Sequence, residues 1–404
     1  MITLLAIIFW ICVFCLFHSY VLYPIIVKIA AAGKSNNQTV YTTDPSVLPT
    51  VSFIMSLYNE DTVIEDKLKT LLATNYPIDK LCIYIGSDCS DDGTNAIVNS
   101  YAEQHPHIQF YPFQQRRGKP SVINDLIATA QKEQEGASDH ILIISDANVM
   151  LEPQTIYELA KHFKNQEIVL VDSNIQNQRL SGLGEGIAAS ERSYISREVG
   201  IKHSEGIAWG RMMGPLGGCY AVRASHFAKV PANNLVDDFY IAMKAFEKGG
   251  LAINELQAIC YEEVPNDMSI EFRRKTRISA GNFTNLAIFK GLLLPPTSSL
   301  GFVFLSHKVL RWFGPFFILL AYISSAIIGW WGQNIFYQIL FLLINLGLFG
   351  VPILDSLCKR LNINIRLLRY ITYFNAMNLA LFSGFFKYLK GNQNGIWQRT
   401  QRNS

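Results

Sequence analysis

Charge vanishes from the chain in three long stretches. The first runs from Met1 to Val27 without an Asp, Glu, Lys or Arg. As a helix rising about 1.5 Å per residue, it can cross a hydrocarbon core of ~30 Å. Lys28 and Lys34 follow it, and no acid precedes Asp44. Cations flank the cytoplasmic ends of membrane helices, so the N-terminus is expected outside and the next segment in the cytoplasm. The alternative is a secretory signal cleaved near Ala30–Ala32. The run is long for such a segment and has no basic residues ahead of it. The pattern predicts an N-terminal transmembrane helix over 1–32.

The second stretch, Trp312 to Leu354, is long enough for two crossings. Gly329-Trp330-Trp331-Gly332-Gln333-Asn334 interrupts it with interfacial aromatics and turn formers. Lys308 and Arg311 precede it, and Lys359, Arg360, Arg366 and Arg369 follow it. Both ends are therefore expected on the cytoplasmic side. The third stretch, Tyr370 to Phe386, is barely long enough to span and carries Asn375 and Asn378. A full crossing puts the basic tail beyond it outside, against the positive-inside trend, whereas a re-entrant or interfacial segment does not. A crossing is the expectation here. Residues 289–308, with Pro295-Pro296 inside, suit an interfacial amphipathic segment. Residues 309–388 suit a C-terminal membrane region of two or three helices, and 389–404 a basic tail. Together these patterns describe a multi-pass protein of the plasma (inner) membrane, in contact with membrane lipid.

Between the apolar runs, residues 41–288 have ordinary soluble character and enough length for one core. Short apolar runs at Val51–Ser56, Leu81–Ile85, Ile108–Tyr111 and Ile141–Ser145 read as buried strands. Segments with helical spacing at 62–72, 92–104 and 121–134 separate them. This alternation predicts an α/β cytoplasmic domain built on a parallel sheet covered on both faces. Such sheets bind ligands at the carboxyl ends of their strands.

Composition now acquires meaning. The chain is 50% hydrophobic and only 17% charged, which excludes disorder and a purely soluble protein. A net charge of +3 is too small to suggest nucleic-acid binding. Cys12 and Cys15 lie inside the first apolar run, so their CxxC spacing reads as packing. Cys82, Cys89, Cys219 and Cys260 are scattered, and none of the cysteines makes a metal pattern. The sequons at Asn37 and Asn282 have no meaning in a cytosolic segment.

The chemistry collects in the strand-end loops. Tyr58 and Glu60 follow the first strand, and Asp88 ends the second, ahead of Asp92 at a helix start. Asp92 serves equally well as a helix cap, so Asp88 is the better ligand candidate. Asp146 and Asn148 follow an apolar strand two residues apart, which suits an oxygen-seeking divalent cation such as Mg²⁺ or Mn²⁺. Arg117-Gly118-Lys119 sets a glycine beside two cations, suiting phosphate or a plain basic turn. Further on come Gly217-Gly218, then Asp237-Asp238 before a helix-like run. The adjacent acids fit either a helix N-terminus or a general base. The basic block around Arg274 and Arg277 fits charge beside a membrane.

The order YNE, SDxSxDGT, RGK, DxN, GGxYAxR, DD and RxxRI, flanked by membrane helices, resembles the family-2 inverting glycosyltransferases. It is most similar to the membrane-embedded branch of cellulose, chitin, hyaluronan and poly-N-acetylglucosamine synthases, over about Val51 to Asn282. The resemblance implies a nucleotide-sugar-binding, GT-A-like domain acting on a nucleotide-sugar donor and a lipid-linked or growing polysaccharide acceptor, with envelope-export partners. It implies that Tyr58, Glu60 and Asp88 hold the nucleoside of the donor, a uridine by preference, and that Lys119 lies near base and diphosphate. It implies that Asp146 and Asn148 occupy the metal-binding DxD positions. By the same resemblance Gly217 and Gly218 lie near the acceptor and Asp238 is the base. Arg274, Arg277 and Ile278 fall on the QxxRW positions, Arg274 and Arg277 on the donor side and Ile278 on the acceptor side. Trp397, Arg399 and Thr400 resemble a terminal gating segment.

Three departures qualify that picture. Asn148 replaces the second Asp of DxD, which lowers the charge offered to a metal. Arg274 stands for Gln, and Ile278 for the Trp against which an acceptor sugar packs. A polysaccharide synthase, a transferase adding a single sugar, and an inactive homologue serving as a scaffold in envelope polysaccharide assembly are the three alternatives. Retention of Asp88, Asp146 and Asp238 together speaks against the scaffold.

Overall fold

The computed structural model describes residues 1–136, 139–177, 187–262, 268–361, 363 and 365–391. The first apolar run forms one long helix, α1 (Ile2–Ala31). Beyond it the chain enters an eight-stranded sheet: β1 (Thr50–Leu57), β2 (Leu81–Asp88), β3 (Ile108–Phe113), β4 (His140–Ser145), β5 (Val149–Leu151), β6 (Ile168–Asn177), β7 (Cys219–Arg223) and β8 (Leu251–Glu262). Its order is β3-β2-β1-β4-β7-β6-β8-β5. The four apolar strands expected from the sequence are the contiguous half β3-β2-β1-β4, and all their pairings are parallel. The other half makes the sheet mixed, not purely parallel. β7 runs antiparallel to β4 and β6, and β5 antiparallel to β8.

Helices α2 (Ile64–Leu72), α3 (Thr94–Gln104), α4 (Lys119–Glu133), α5 (Thr155–Ala160), α6 (Ile187–Trp209) and α7 (Asp237–Glu247) connect or follow these strands. Hydrophobic spacing explains their docking. Ile64, Leu68 and Leu71 of α2 join Phe53, Met55, Ile83, Ile85, Ile141 and Ile143 in one core. On α4, Val122, Ile123, Leu126 and Ile127 are buried, and this helix packs on β1 and β2. Strands covered on both faces read as near-continuous apolar runs, as β1 does from Val51 to Met55, where only the buried Ser52 is polar.

The chain divides into two compact units. One holds residues 27–183 and 194–264, including the sheet; the other holds 1–26, 184–193 and 265–392. The second unit contains most of α1, then α8 (Met268–Phe289), α9 (Ser299–Trp312), α10 (Gly314–Trp330), α11 (Ile335–Arg360) and α12 (Arg366–Leu389). α1 and α11 are each long and apolar enough to cross a membrane. α9 and α10 meet that standard together, with a 60° bend between them. The break at 331–334 falls where the sequence placed a turn, and the Asn334 side chain caps α11 by accepting from Phe336 N at 3.1 Å.

α12 differs from the expected crossing. It is a continuous helix of 24 residues, but it is not among the helices apolar enough to span. Its polar positions serve other contacts: Asn375 Nδ2 donates to Gly347 O at 2.8 Å. α12 packs along α8, where Ser279 Oγ donates to Leu381 O at 2.8 Å and Phe283 meets Phe385 edge-on. The two backbones approach closely at Gly384, where a Cβ would lie 2.3 Å from Ser279 Cβ and 2.7 Å from Thr276 O. Overpacking of this kind costs about 1–3 kcal/mol. Gly384→Ala is therefore expected to lower the melting temperature of the detergent-solubilised chain. An unchanged melting temperature contradicts this account of the α8–α12 contact.

Candidate active site

Parallel pairing aligns the carboxyl ends of β1, β2 and β4. Leu57 sits opposite Ser87, and Ile54 opposite Ile144. The loops that follow these strands therefore open at one edge of the sheet, where backbone groups released from the ladder are available. Asn59, in a left-handed conformation at φ 53°, donates through Nδ2 to Asp91 Oδ1 at 2.6 Å and links the first two loops. Asp92 accepts from Thr94 N at 2.9 Å, so it caps α3 as its position allowed, and also from Asp61 N at 3.3 Å. Glu60 is buried beside them.

Asp88 holds the RGK turn. Its Oδ1 accepts from Arg117 N at 2.7 Å and its Oδ2 from Gly118 N at 2.9 Å. The neighbouring Arg116 lies 3.9 Å from Asp88 Oδ2 and lays its guanidinium over the Tyr58 ring, 3.3 Å from the centroid. Tyr58, Asp88 and Arg116 thus form one wall, with an aromatic face and fixed charges.

Held there, the turn starts α4 so that Lys119 reaches two other elements. Lys119 Nζ donates to Asp146 Oδ1 at 2.6 Å and stands 3.6 Å from Asp237 Oδ2 at the start of α7. Burial alone lowers an ammonium's proton affinity; the two carboxylates outweigh it and hold Lys119 protonated well above its usual range. α4 is also tied to the segment before α7. Asn124 Nδ2 donates to Val230 O at 2.8 Å and Val230 N returns a bond to Asn124 Oδ1 at 2.9 Å.

Gly217 and Gly218 bring the third side together. Gly218 O accepts from Asp146 N and from Ser145 Oγ, each at 2.9 Å. Gly217 adopts φ +92°, and a Cβ there would lie 2.6 Å from Asp238 Oδ2. Asp238 Oδ1 accepts from the next backbone N–H, Phe239 N, at 2.7 Å. Desolvation and the adjacent Asp237 push its carboxyl up to about 6, against the pull of that bond and of Lys119. Behind the glycines, the fully buried Asp172 accepts from Leu216 N at 3.1 Å and faces Lys202 at 3.8 Å. Burial pushes Asp172 up to about 7, with Lys202 opposing.

Among the described residues no three His, Cys, Asp or Glu side chains gather as a metal site, so a divalent cation here would draw on Asp146, Asn148 and its own ligand. Asp237 Oδ2 is buried without a hydrogen-bond partner among the described residues, and so is the Tyr220 hydroxyl on neighbouring β7. Two carboxylates already converge on one positive charge at Lys119. Asn148 Nδ2 donates to Glu262 Oε1 at 3.2 Å, which leaves its amide oxygen as the available donor atom. Oxygen ligands of this kind suit Mg²⁺ or Mn²⁺.

Arg274, Arg277 and Ile278 lie on α8 in the helical unit. Their i, i+3, i+4 spacing sets them on one side of that helix. Arg274 Nη1 stands 3.6 Å from Glu271 Oε2. Trp397, Arg399 and Thr400 lie outside the described residues. Sequence reasoning assigned no role to Arg116, Asp172 or Lys67, which lacked any local signal; Asp237 was read only as one of two adjacent acids, and Tyr220 only as part of GGxYAxR.

Residues 52–212 match the model of glycosyl transferase family 2, and residues 140–383 match that of glycosyl transferase family group 2. The second match alone spans more than half of the chain. The chain is a family-2 glycosyltransferase. A probable glycosyltransferase of Bacillus subtilis, YdaM, is 24% identical over 377 residues, covering 88% of this chain and 87% of that protein. The poly-β-1,6-N-acetyl-D-glucosamine synthase of Staphylococcus aureus is 25% identical over 236 residues, 57% of this chain and 54% of that one. The mannosyltransferase PcManGT from Pyrobaculum calidifontis, solved with GDP-Man and Mn²⁺, shares the fold. Its TM-score is 0.69 at 21% identity, over 96% of this chain and 99% of that one. The sheet is thus the GT-A-like scaffold that the sequence implied.

In this glycosyltransferase not every motif residue faces the site. Arg223 of GGxYAxR is a buried pin that donates to Asp139 Oδ1, Phe163 O, Asn165 O and Ile168 O. Gly217 bears directly on the site, because its missing Cβ makes room for Asp238. Gly217→Ala is expected to lower sugar-transfer turnover by roughly ten- to a hundredfold, through misplacement of the carboxylate. Circular dichroism should stay that of the wild type. Wild-type turnover in this variant contradicts the assigned contact.

Proposed function

We propose that this chain moves a sugar, with inversion, from a nucleotide-sugar at the cytoplasmic face of the plasma membrane onto a lipid-linked or growing polysaccharide acceptor. The observation that carries this reading is the convergence of Lys119 with Asp146 and Asp237, beside Asp238, at the carboxyl ends of the parallel strands. In this account residues 41–288 are the cytoplasmic catalytic domain. Residues 1–32 and 309–388 hold it at the membrane, joined by the interfacial segment 289–308 and followed by the tail 389–404. Partners for export of a polymer fit the same setting.

Tyr58, Glu60 and the wall around Asp88 receive the nucleoside, with uridine preferred. GDP-Man in the Pyrobaculum neighbour makes guanosine the second base to test. Lys119 binds the diphosphate. Asp146 and Asn148 would hold Mg²⁺ or Mn²⁺, whose charge offsets that of the leaving diphosphate. Arg274 and Arg277 serve the donor side. Asp238 takes the proton of the acceptor hydroxyl as its oxygen bonds to the anomeric carbon. The bond from that carbon to the diphosphate breaks, and the proton stays on Asp238. Lys119, fixed before the reaction, meets the growing negative charge. Gly217 and Gly218 lie near the acceptor, Gly217 by seating Asp238. Ile278 offers no aromatic platform to a sugar, which favours short products or single additions over a long polymer.

Two outcomes test this reading. Purified full-length chain with Mn²⁺ and a panel of UDP- and GDP-sugars should release the nucleoside diphosphate. Asp238→Asn should reduce that release about a hundredfold or more. No turnover with any donor, or an undiminished Asp238→Asn variant, sinks the assignment. Because Asp238 must be ionised and its carboxyl is pushed up to about 6, turnover should fall as pH drops through that value and be fully present above it. A flat profile between pH 5 and 8 is incompatible with Asp238 as the base.

A further inference from the structure

Helix α2 carries a lysine where its pattern calls for a hydrophobe. Ile64, Lys67, Leu68 and Leu71 follow helical spacing and form its buried stripe. Lys67 is 0% exposed and ranks among the largest fully buried side chains. Its ammonium lies 5.2 Å from the centroid of the Phe53 ring, and among the described residues it forms no ion pair. Burial lowers its proton affinity to a pKa of about 8. An ammonium placed so deep is costly, and a methionine or leucine of similar volume would avoid that cost.

The ammonium makes two contacts that explain its place. It donates to Ser145 Oγ at 2.9 Å and to Val149 O. Ser145 is the last residue of β4 and Val149 the first of β5. Between them lie only Asp146, Ala147 and Asn148, the proposed metal loop. One nitrogen therefore bridges the two ends of that loop. Other bonds complete the ring: Val149 N donates to Asp146 O at 3.3 Å, and Asp146 N and Ser145 Oγ both donate to Gly218 O. Lys119 binds the Asp146 carboxylate from the other side of the loop's chemistry, while Lys67 binds its frame.

We infer that Lys67 is a positioning residue that clamps the Asp146–Asn148 loop from within the core and so sets the chain's affinity for its divalent cation. This rests on the reading of Asp146 and Asn148 as metal ligands and extends it to a residue that never touches the metal. A lysine that served only packing would be replaceable by methionine with no local consequence. A clamp would not, because Val149 O and the Ser145 hydroxyl would both lose their donor.

The test compares the full detergent-solubilised chain with Lys67→Met and with Ser145→Ala, which keeps the charge but removes one of the ammonium's two contacts together with the hydroxyl's own bond to Gly218 O. Three quantities are read: amide hydrogen exchange by mass spectrometry, the Mn²⁺ concentration at half-maximal binding of UDP or of GDP by calorimetry, and the melting temperature. For Lys67→Met the expected result is a melting temperature equal to or above the wild type, with exchange accelerated at 146–149. The half-saturating Mn²⁺ concentration should rise about 10–100-fold, as for loss of other outer supports of a metal site. Ser145→Ala should shift exchange and Mn²⁺ demand in the same direction by less. If Lys67→Met does not fold, Lys67→Gln, which keeps a donor but shortens its reach, takes its place in the comparison. Unchanged exchange at 146–149 in the folded variants overturns the proposal, as does faster exchange spread over the whole sheet with a lowered melting temperature. If wild-type chain binds neither UDP nor GDP with Mn²⁺, the metal-site reading has failed instead, and the exchange at 146–149 still judges the clamp.

Discussion

The ammonium of Lys119 lies between two carboxylates from different parts of the chain, and the site is built around it. Asp146 comes from the end of a central parallel strand, Asp237 from the first turn of α7, and Lys119 from the start of α4. Three acids this close, counting Asp238, repel one another in a poorly solvated place. The lysine offsets that repulsion. The fixed turn before α4, held by two backbone N–H bonds to Asp88, sets where the lysine stands. In the proposed reaction a diphosphate would compete with Asp146 for the same ammonium, and Asp146 would then be left to help hold a divalent cation.

The glycine pair extends this logic to the acceptor side. Gly218 fastens the Asp146–Asn148 loop through its carbonyl, and Gly217 lets the backbone pass against Asp238. The two halves of the proposed reaction, donor activation and acceptor deprotonation, are therefore joined through two consecutive residues. Asp172 and Lys202 support them from behind without meeting solvent. Asp237 Oδ2, which faces Lys119 without a hydrogen bond, and the Tyr220 hydroxyl, which has no hydrogen-bond partner among the described residues, are the places where polar capacity is left for a ligand.

Much of this was legible in the sequence. Fully buried parallel strands read as largely apolar runs, and Asp88 and Asp146 stood out as the first charges after Leu81–Ile85 and Ile141–Ile144. β6 and β8 were not legible. Both carry buried polar residues, Asp172 and Ser173 in one and Asn254 and Glu255 in the other, so neither alternates nor runs apolar. The antiparallel β7 between them is short and framed by a glycine motif that reads as a loop. Asp88 had been legible as a ligand but not as the anchor of the RGK turn, a role that depends on backbone geometry. Lys67 was invisible for a plain reason: one cation in a helix reads as exposed, and only the packing shows it in the apolar stripe. α12 shows the reverse. A charge-free run suggested a crossing, whereas its asparagines and flanking cations leave it below the apolar standard of α1 and α11.

The most direct test of the account is a structure of the full chain with Mn²⁺ and a bound UDP or GDP. The diphosphate is predicted to draw Lys119 Nζ away from Asp146 Oδ1, with the metal on Asp146 and the nucleoside against Tyr58 and the Asp88 wall. A nucleotide bound elsewhere, with the Lys119–Asp146 pair intact, would contradict it.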